Sequence, residues 1–181
     1  MPNWCFNEVT ITGKKENLKK IERVLKEYKK DGVFFDRIHP IPEELRNTTS
    51  PSPNGAECFE DMFKPGYKFC DWYEWCLVNW GTKWDVELVG IKVQKDRILL
   101  DFNSAWSPPI SFFLKFSEIF EVTIEHRYLG EGREFIGKSV QKNGMVIVDE
   151  ATYDVTRENA EHFGFDPADV FDEDDDENDD E

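Results

Sequence analysis

The hydrophobic positions change period several times along the chain, and each change marks an element. Between Cys5 and Thr12 they alternate. Cys5, Asn7, Val9 and Ile11 share one face, and Phe6, Glu8, Thr10 and Thr12 share the other, as in a strand. Asn7 lies among apolar neighbours, so its amide is expected to hydrogen-bond nearby backbone. Beyond Gly13 the period becomes helical. Leu18, Ile21, Val24, Leu25 and Tyr28 line one face of residues 16–30, with lysines and glutamates opposite, and Asp31-Gly32 stops the run. Residues 33–41 read as a second strand, ended by Pro40-Ile41-Pro42 because proline cannot donate to a ladder. Residues 42–68 lose periodicity. Pro42, Pro51, Pro53, Pro65, Gly55 and Gly66 make them a loop-like insertion.

The stretch Phe69–Asp85 holds Trp72, Trp75, Trp80 and Trp84. Asp71 followed by Glu74 predicts a helix start, and Gly81 predicts its end just after Trp80. Phe69, Tyr73, Cys76 and Trp80 form a stripe, joined by Trp72. Residues 84–93 and 97–104 alternate and flank Gln94-Lys95-Asp96, which predicts a hairpin. Ser107 is placed to cap a helix with Pro108 at its first position. That helix runs to Phe120 and is apolar on most sides, so deep burial is expected. Val122, Ile124, His126 and Tyr128 alternate as a further strand. Residues 134–141 and 145–149 flank Asn143-Gly144, the strongest short hairpin signal, and residues 154–163 read as a short helix ended by Gly164. The order of elements predicts an α+β fold: a ferredoxin-like sandwich with an inserted loop-helix segment and a C-terminal β-hairpin. Residues 1–165 are expected to form one domain, with the insertion at about 42–80.

The net charge is −16, but residues 166–181 hold eleven acidic and no basic residues. Without them, 22 basic residues face 27 acidic ones, a balance of −5. Residues 166–181 are therefore expected to be a disordered acidic tail. The body lacks the basic footprint of a nucleic-acid binder, which ranks direct nucleic-acid binding below protein binding. No apolar run approaches a membrane span, and Met1–Thr10 does not read as a secretory signal. Cys5, Cys58, Cys70 and Cys76 show no metal-ligand spacing, so reduced thiols in a cytoplasm are expected, with no metal and no cofactor. His39, His126 and His162 are scattered, and no catalytic motif is present. Removal of Met1 would free the Pro2 amine as a base, with nothing else to support it. The sequence leaves catalysis open and favours a non-catalytic role.

The candidate binding residues are Trp80, Lys83, Trp84, Asp85 and Trp106, from two connectors that each join a helix and a strand. If the connectors meet, they make an aromatic wall with one cation and one carboxylate, as ligand and partner sites are built. Against this stands the plainer expectation that Lys83 pairs with Asp85 and the rings lock the helix ends. A separate reading gives the acidic terminus a basic host factor as partner, or makes it a nucleic-acid mimic.

The opening Met1-Pro2-Asn3-Trp4-Cys5 with Asn7, the Pro40-Ile41-Pro42 bend, the run Trp80–Asp85 and the run Ala105–Pro109 resemble the YubB-type, Api92-like proteins. The resemblance spans roughly residues 1–140. It implies a ferredoxin-like domain in a small cytoplasmic protein of phage, plasmid or genomic-island origin. It implies no activity and carries over no catalytic residues.

Overall fold

The computed structural model describes residues 3–171. The Pro2 amine, and the acidic terminus from 172 onward, lie outside the described residues. In chain order the elements are β1 (Trp4–Gly13), α1 (Lys15–Asp31), α2 (Phe35–Ile38), a 3-10 turn (Phe59–Phe63), α3 (Trp72–Asn79), β2 (Glu87–Val93), β3 (Arg97–Ala105), α4 (Ile110–Phe120), β4 (Val122–Gly130), β5 (Ile136–Lys142), β6 (Met145–Thr152), α5 (Arg157–Phe163) and α6 (Pro167–Val170).

The strands form one sheet in the order β2-β3-β1-β4-β5-β6, every neighbouring pair antiparallel. The first four have the ferredoxin-like order, and the β5–β6 hairpin extends the sheet beyond β4. Asn143 and Gly144 both take positive φ, the conformation a two-residue hairpin turn requires. One face of the sheet carries α1 and α4. The inward positions Val9, Ile11, Leu100, Phe102 and Ile124 meet Ile21 and Leu25 of α1 and Phe112, Phe113 and Phe116 of α4 in a single core. On α4, however, Ile119 is exposed, so that helix is buried along one face and not all round.

Three sequence expectations shift. Residues 33–41 are not a strand: Phe34 and Phe35 are fully buried, and Phe35–Ile38 makes one helical turn. The physical reason lies fifty residues away, where the Asp85 carboxylate accepts from the backbone N–H groups of Phe34, Phe35 and Asp36. The helix expected at 154–163 begins at Arg157, capped by the Thr156 side chain. The expected tail boundary at 166 falls inside ordered structure. Asp166 caps α6, and Val170 and Phe171 pack with Leu129, Ile136, Ala160 and Phe163. Leu129 points away from the Ile124–His126–Tyr128 face, so this second cluster covers part of the sheet's other side.

A buried polar line crosses the sheet. His126 Nε2 lies 2.9 Å from Asn7 Oδ1. Asn7 Nδ2 donates to the Cys5 carbonyl (2.7 Å) and to Ser104 Oγ (2.9 Å), and Ser104 Oγ donates to the Ser107 carbonyl (2.7 Å). With its amide nitrogen donating, Asn7 presents its oxygen to His126, which assigns the imidazole proton to Nε2. Burial pushes His126 down to about 3. Its pKa is thus below that of the unfolded chain. Between about pH 6.5 and 3 the unfolded state binds a proton that the folded state does not, and stability falls on acidification by up to about 1.4 kcal/mol per pH unit. Urea unfolding at pH 7 and pH 4.5 should therefore show a larger loss for the wild type than for His126→Gln. Equal losses would contradict the assignment.

Candidate functional site

The two connectors are built as one unit. The Asp71 side chain caps α3 by accepting from Glu74 N at 2.9 Å. Glu74 does not reach back to complete a capping box. Its buried carboxylate accepts from Ala56 N (2.6 Å), Cys70 N (3.0 Å) and the Tyr67 hydroxyl (3.0 Å), which fastens the insertion to α3. Beyond α3, Gly81 has φ 81°, and a Cβ there would stand 3.3 Å from both the Pro108 carbonyl and Ile110 N. Glycine serves here for both the left-handed turn and the close approach. Ser107 Oγ donates to the Gly81 carbonyl (2.7 Å), Thr82 Oγ1 to the Ala105 carbonyl (2.9 Å) and Phe112 N to the Trp80 carbonyl (3.3 Å). Because the Ser107 hydroxyl is taken up in this way, it does not cap α4, which starts at Ile110 behind Pro109.

The five candidate residues divide into two sets. Trp80 is 1% exposed. Its Nε1–H donates to the His39 carbonyl at 2.9 Å, and its ring lies edge-on to Phe35 and Trp75. The Asp85 carboxylate accepts from Val86 N as well as from Phe34, Phe35 and Asp36. Burial pushes that carboxyl above its ordinary range, opposed by these backbone donors. Both side chains hold the fold, with their polar groups taken up by backbone.

Lys83, Trp84 and Trp106 come together at the rim, Trp106 exposed and the other two half-buried. The Lys83 ammonium lies 4.8 Å from the ring centres of both Trp84 and Trp106, and 5.8 Å from Tyr73. The expected Lys83–Asp85 pairing is thereby replaced: the cation sits on aromatic faces and the carboxylate on backbone N–H groups. Trp106 is 44% exposed and has φ 70°, a left-handed conformation uncommon for a bulky residue.

Trp84 also lines a hollow of about 330 Å³ with Trp4, Asp85, Glu87, Val89 and Asn103. A second hollow of about 230 Å³ adjoins it. The two share Val89 and Asn103, and the second adds Phe6, Glu8, Asp101 and Phe165. Val89 is the extra residue of a bulge in β2 and is 75% exposed. Sequence reasoning placed Phe6 on the face opposite Asn7 but gave neither Phe6, Trp4 nor Val89 a part in a site. The alternation of β1 was the available signal for the first, whereas the bulge has none. Elsewhere, burial pushes the thiols of Cys5 and Cys76 up to about 12, which keeps them protonated and unreactive. Among the described residues no cluster of His, Cys, Asp or Glu has metal-site geometry.

This architecture is that of a ferredoxin-like α+β protein carrying an added hairpin and an aromatic rim. Residues 79–166, which include both connectors, match the family model described as the ferredoxin-like domain in Api92-like protein. The crystal structure of the protein api92 from Yersinia pseudotuberculosis has a similar fold. The two are 14% identical, with a TM-score of 0.52 over 86% of this chain and 100% of that one. No curated protein matches the chain. No helix among the described residues is long and apolar enough to cross a membrane.

Proposed function

We propose that the chain is a non-catalytic binding module that offers Lys83, Trp84 and Trp106 to a protein partner. The observation that carries this reading is the placement of Trp106. A bulky residue at positive φ costs on the order of 1 kcal/mol or more, and here the residue is left 44% exposed. Tryptophans around a single cation supply the large rigid area on which partner anchors concentrate. Under this reading the protein is a cytoplasmic accessory of a mobile element, such as a phage or plasmid. A second reading rests on composition: eleven carboxylates within residues 166–181 would attract a basic host factor or imitate nucleic acid.

The test is affinity capture from an extract of the native host, using the wild-type chain, Trp84→Ala/Trp106→Ala, and a chain lacking residues 172–181. Loss of specific partners with the tryptophan pair alone is the expected result. Partners lost only with the shortened chain would favour the second reading, and an unchanged set with the tryptophan pair would overturn the first.

A further inference from the structure

The groove formed by the two adjoining hollows differs from the rim in its charge. Its walls are aromatic or apolar, from Trp84 and Trp4 at one end to Phe6 and Phe165 at the other, with Val89 between them. It is lined by Glu87, Asp101 and Glu8, and by no lysine or arginine. The pairing register places Glu8 directly across from Asp101 on neighbouring strands, and Glu87 across from Asn103, two positions further along β3. Like charges directly opposite one another destabilise a sheet. Arg127, across from Glu8 on the other side, pairs with Glu8 and lies 5.4 Å over the Phe165 ring, so that end of the groove already holds the chain's own cation and the open end is that of Glu87, Asp101, Trp4 and Trp84. The Asp85 carboxylate is already engaged by backbone. Glu87 and Asp101 thus line, as acceptors, the same hollows as Trp4, Trp84 and Phe6.

We propose that this groove binds an extended, arginine-bearing segment of the partner protein. A guanidinium stacks flat on an indole or phenyl face and donates a fork of N–H groups to a carboxylate, so one side chain uses both features of the lining. The neighbouring rim shows the same preference, because its own Lys83 rests on Trp84 and Trp106. The inference rests on the reading of Trp84 as part of a binding surface, since that ring belongs to both rim and groove.

The experiment uses the full chain and a fluorescein-labelled peptide of alternating arginine and serine, with a glutamine-for-arginine counterpart, read by anisotropy. The arginine peptide is expected to bind, more weakly as salt rises, and the glutamine peptide is not. Glu87→Gln/Asp101→Asn should weaken binding at least about tenfold. Glu22→Gln/Glu27→Gln on α1 removes the same charge elsewhere and should leave binding unchanged. Equal binding of both peptides, or equal weakening by the two charge pairs, would overturn the proposal. If the arginine peptide fails while partner capture still depends on Trp84 and Trp106, the groove assignment falls alone. If both fail, the reading beneath it falls too.

Discussion

Trp80→Ala is expected to cost about 3–5 kcal/mol of stability, the range for removing a large buried aromatic side chain. The ring is enclosed by Phe35 and Trp75, so its loss opens a cavity where two elements of the core meet the insertion. The change also removes the N–H that serves the His39 carbonyl. Trp80→Phe separates these effects: it keeps most of the packing and abandons the hydrogen bond, and should cost about 1–3 kcal/mol. Urea unfolding measures both. A loss below about 1 kcal/mol for the alanine variant would mean that the ring does not support the core.

Asp85→Ala should be nearly as damaging, at about 3 kcal/mol. It orphans N–H groups of Phe34, Phe35 and Asp36 that are shielded from water, and each unsatisfied donor costs about 1–3 kcal/mol before relaxation. Asp85→Asn keeps one acceptor oxygen and should fall between the alanine variant and the wild type. The pH dependence has a defined sign. The folded carboxyl titrates above its unfolded value, so its contribution is fully present below the unfolded pKa and is lost as pH rises through the folded one. That trend opposes the acid sensitivity expected from His126. A wild-type minus Asp85→Asn difference that grows on acidification fits this sign, and one that shrinks contradicts it.

The same two residues show what the sequence could convey. Local patterns carried the sheet: the alternation of 5–12 and 122–128, the hairpin at 94–96 and the Asn143-Gly144 turn were all legible, and the ferredoxin-like order followed from them. Residues 33–41 carry a strand-like pattern but form a helical turn, because α2 is held by a carboxylate remote in sequence and non-local capping leaves no periodic trace. The connectors are recognisable as tryptophan-rich joints, and their meeting is the condition on which the site reading stands. Whether an indole turns inward, as at Trp80, or outward, as at Trp106, depends on backbone direction at a turn, which composition does not encode. Ser107 had the residue type of a helix cap, and its hydroxyl was claimed instead by the Gly81 carbonyl across the joint. The groove leaves no trace in the sequence for a related reason, since Glu8, Asp101 and Glu87 come from three strands and only their register brings them together.

The joints divide their residues: Trp80 and Asp85 support the fold, and the half-buried Trp84 and exposed Trp106 form the rim. Urea unfolding of the Trp84→Ala/Trp106→Ala chain tests that division most directly. The expected loss is about 1 kcal/mol or less per substitution, as for side chains that are only partly covered, with the near-ultraviolet circular dichroism of the core retained. A loss matching that of Trp80→Ala would show that the outer indoles carry the fold, and would leave no separate surface for a partner to use.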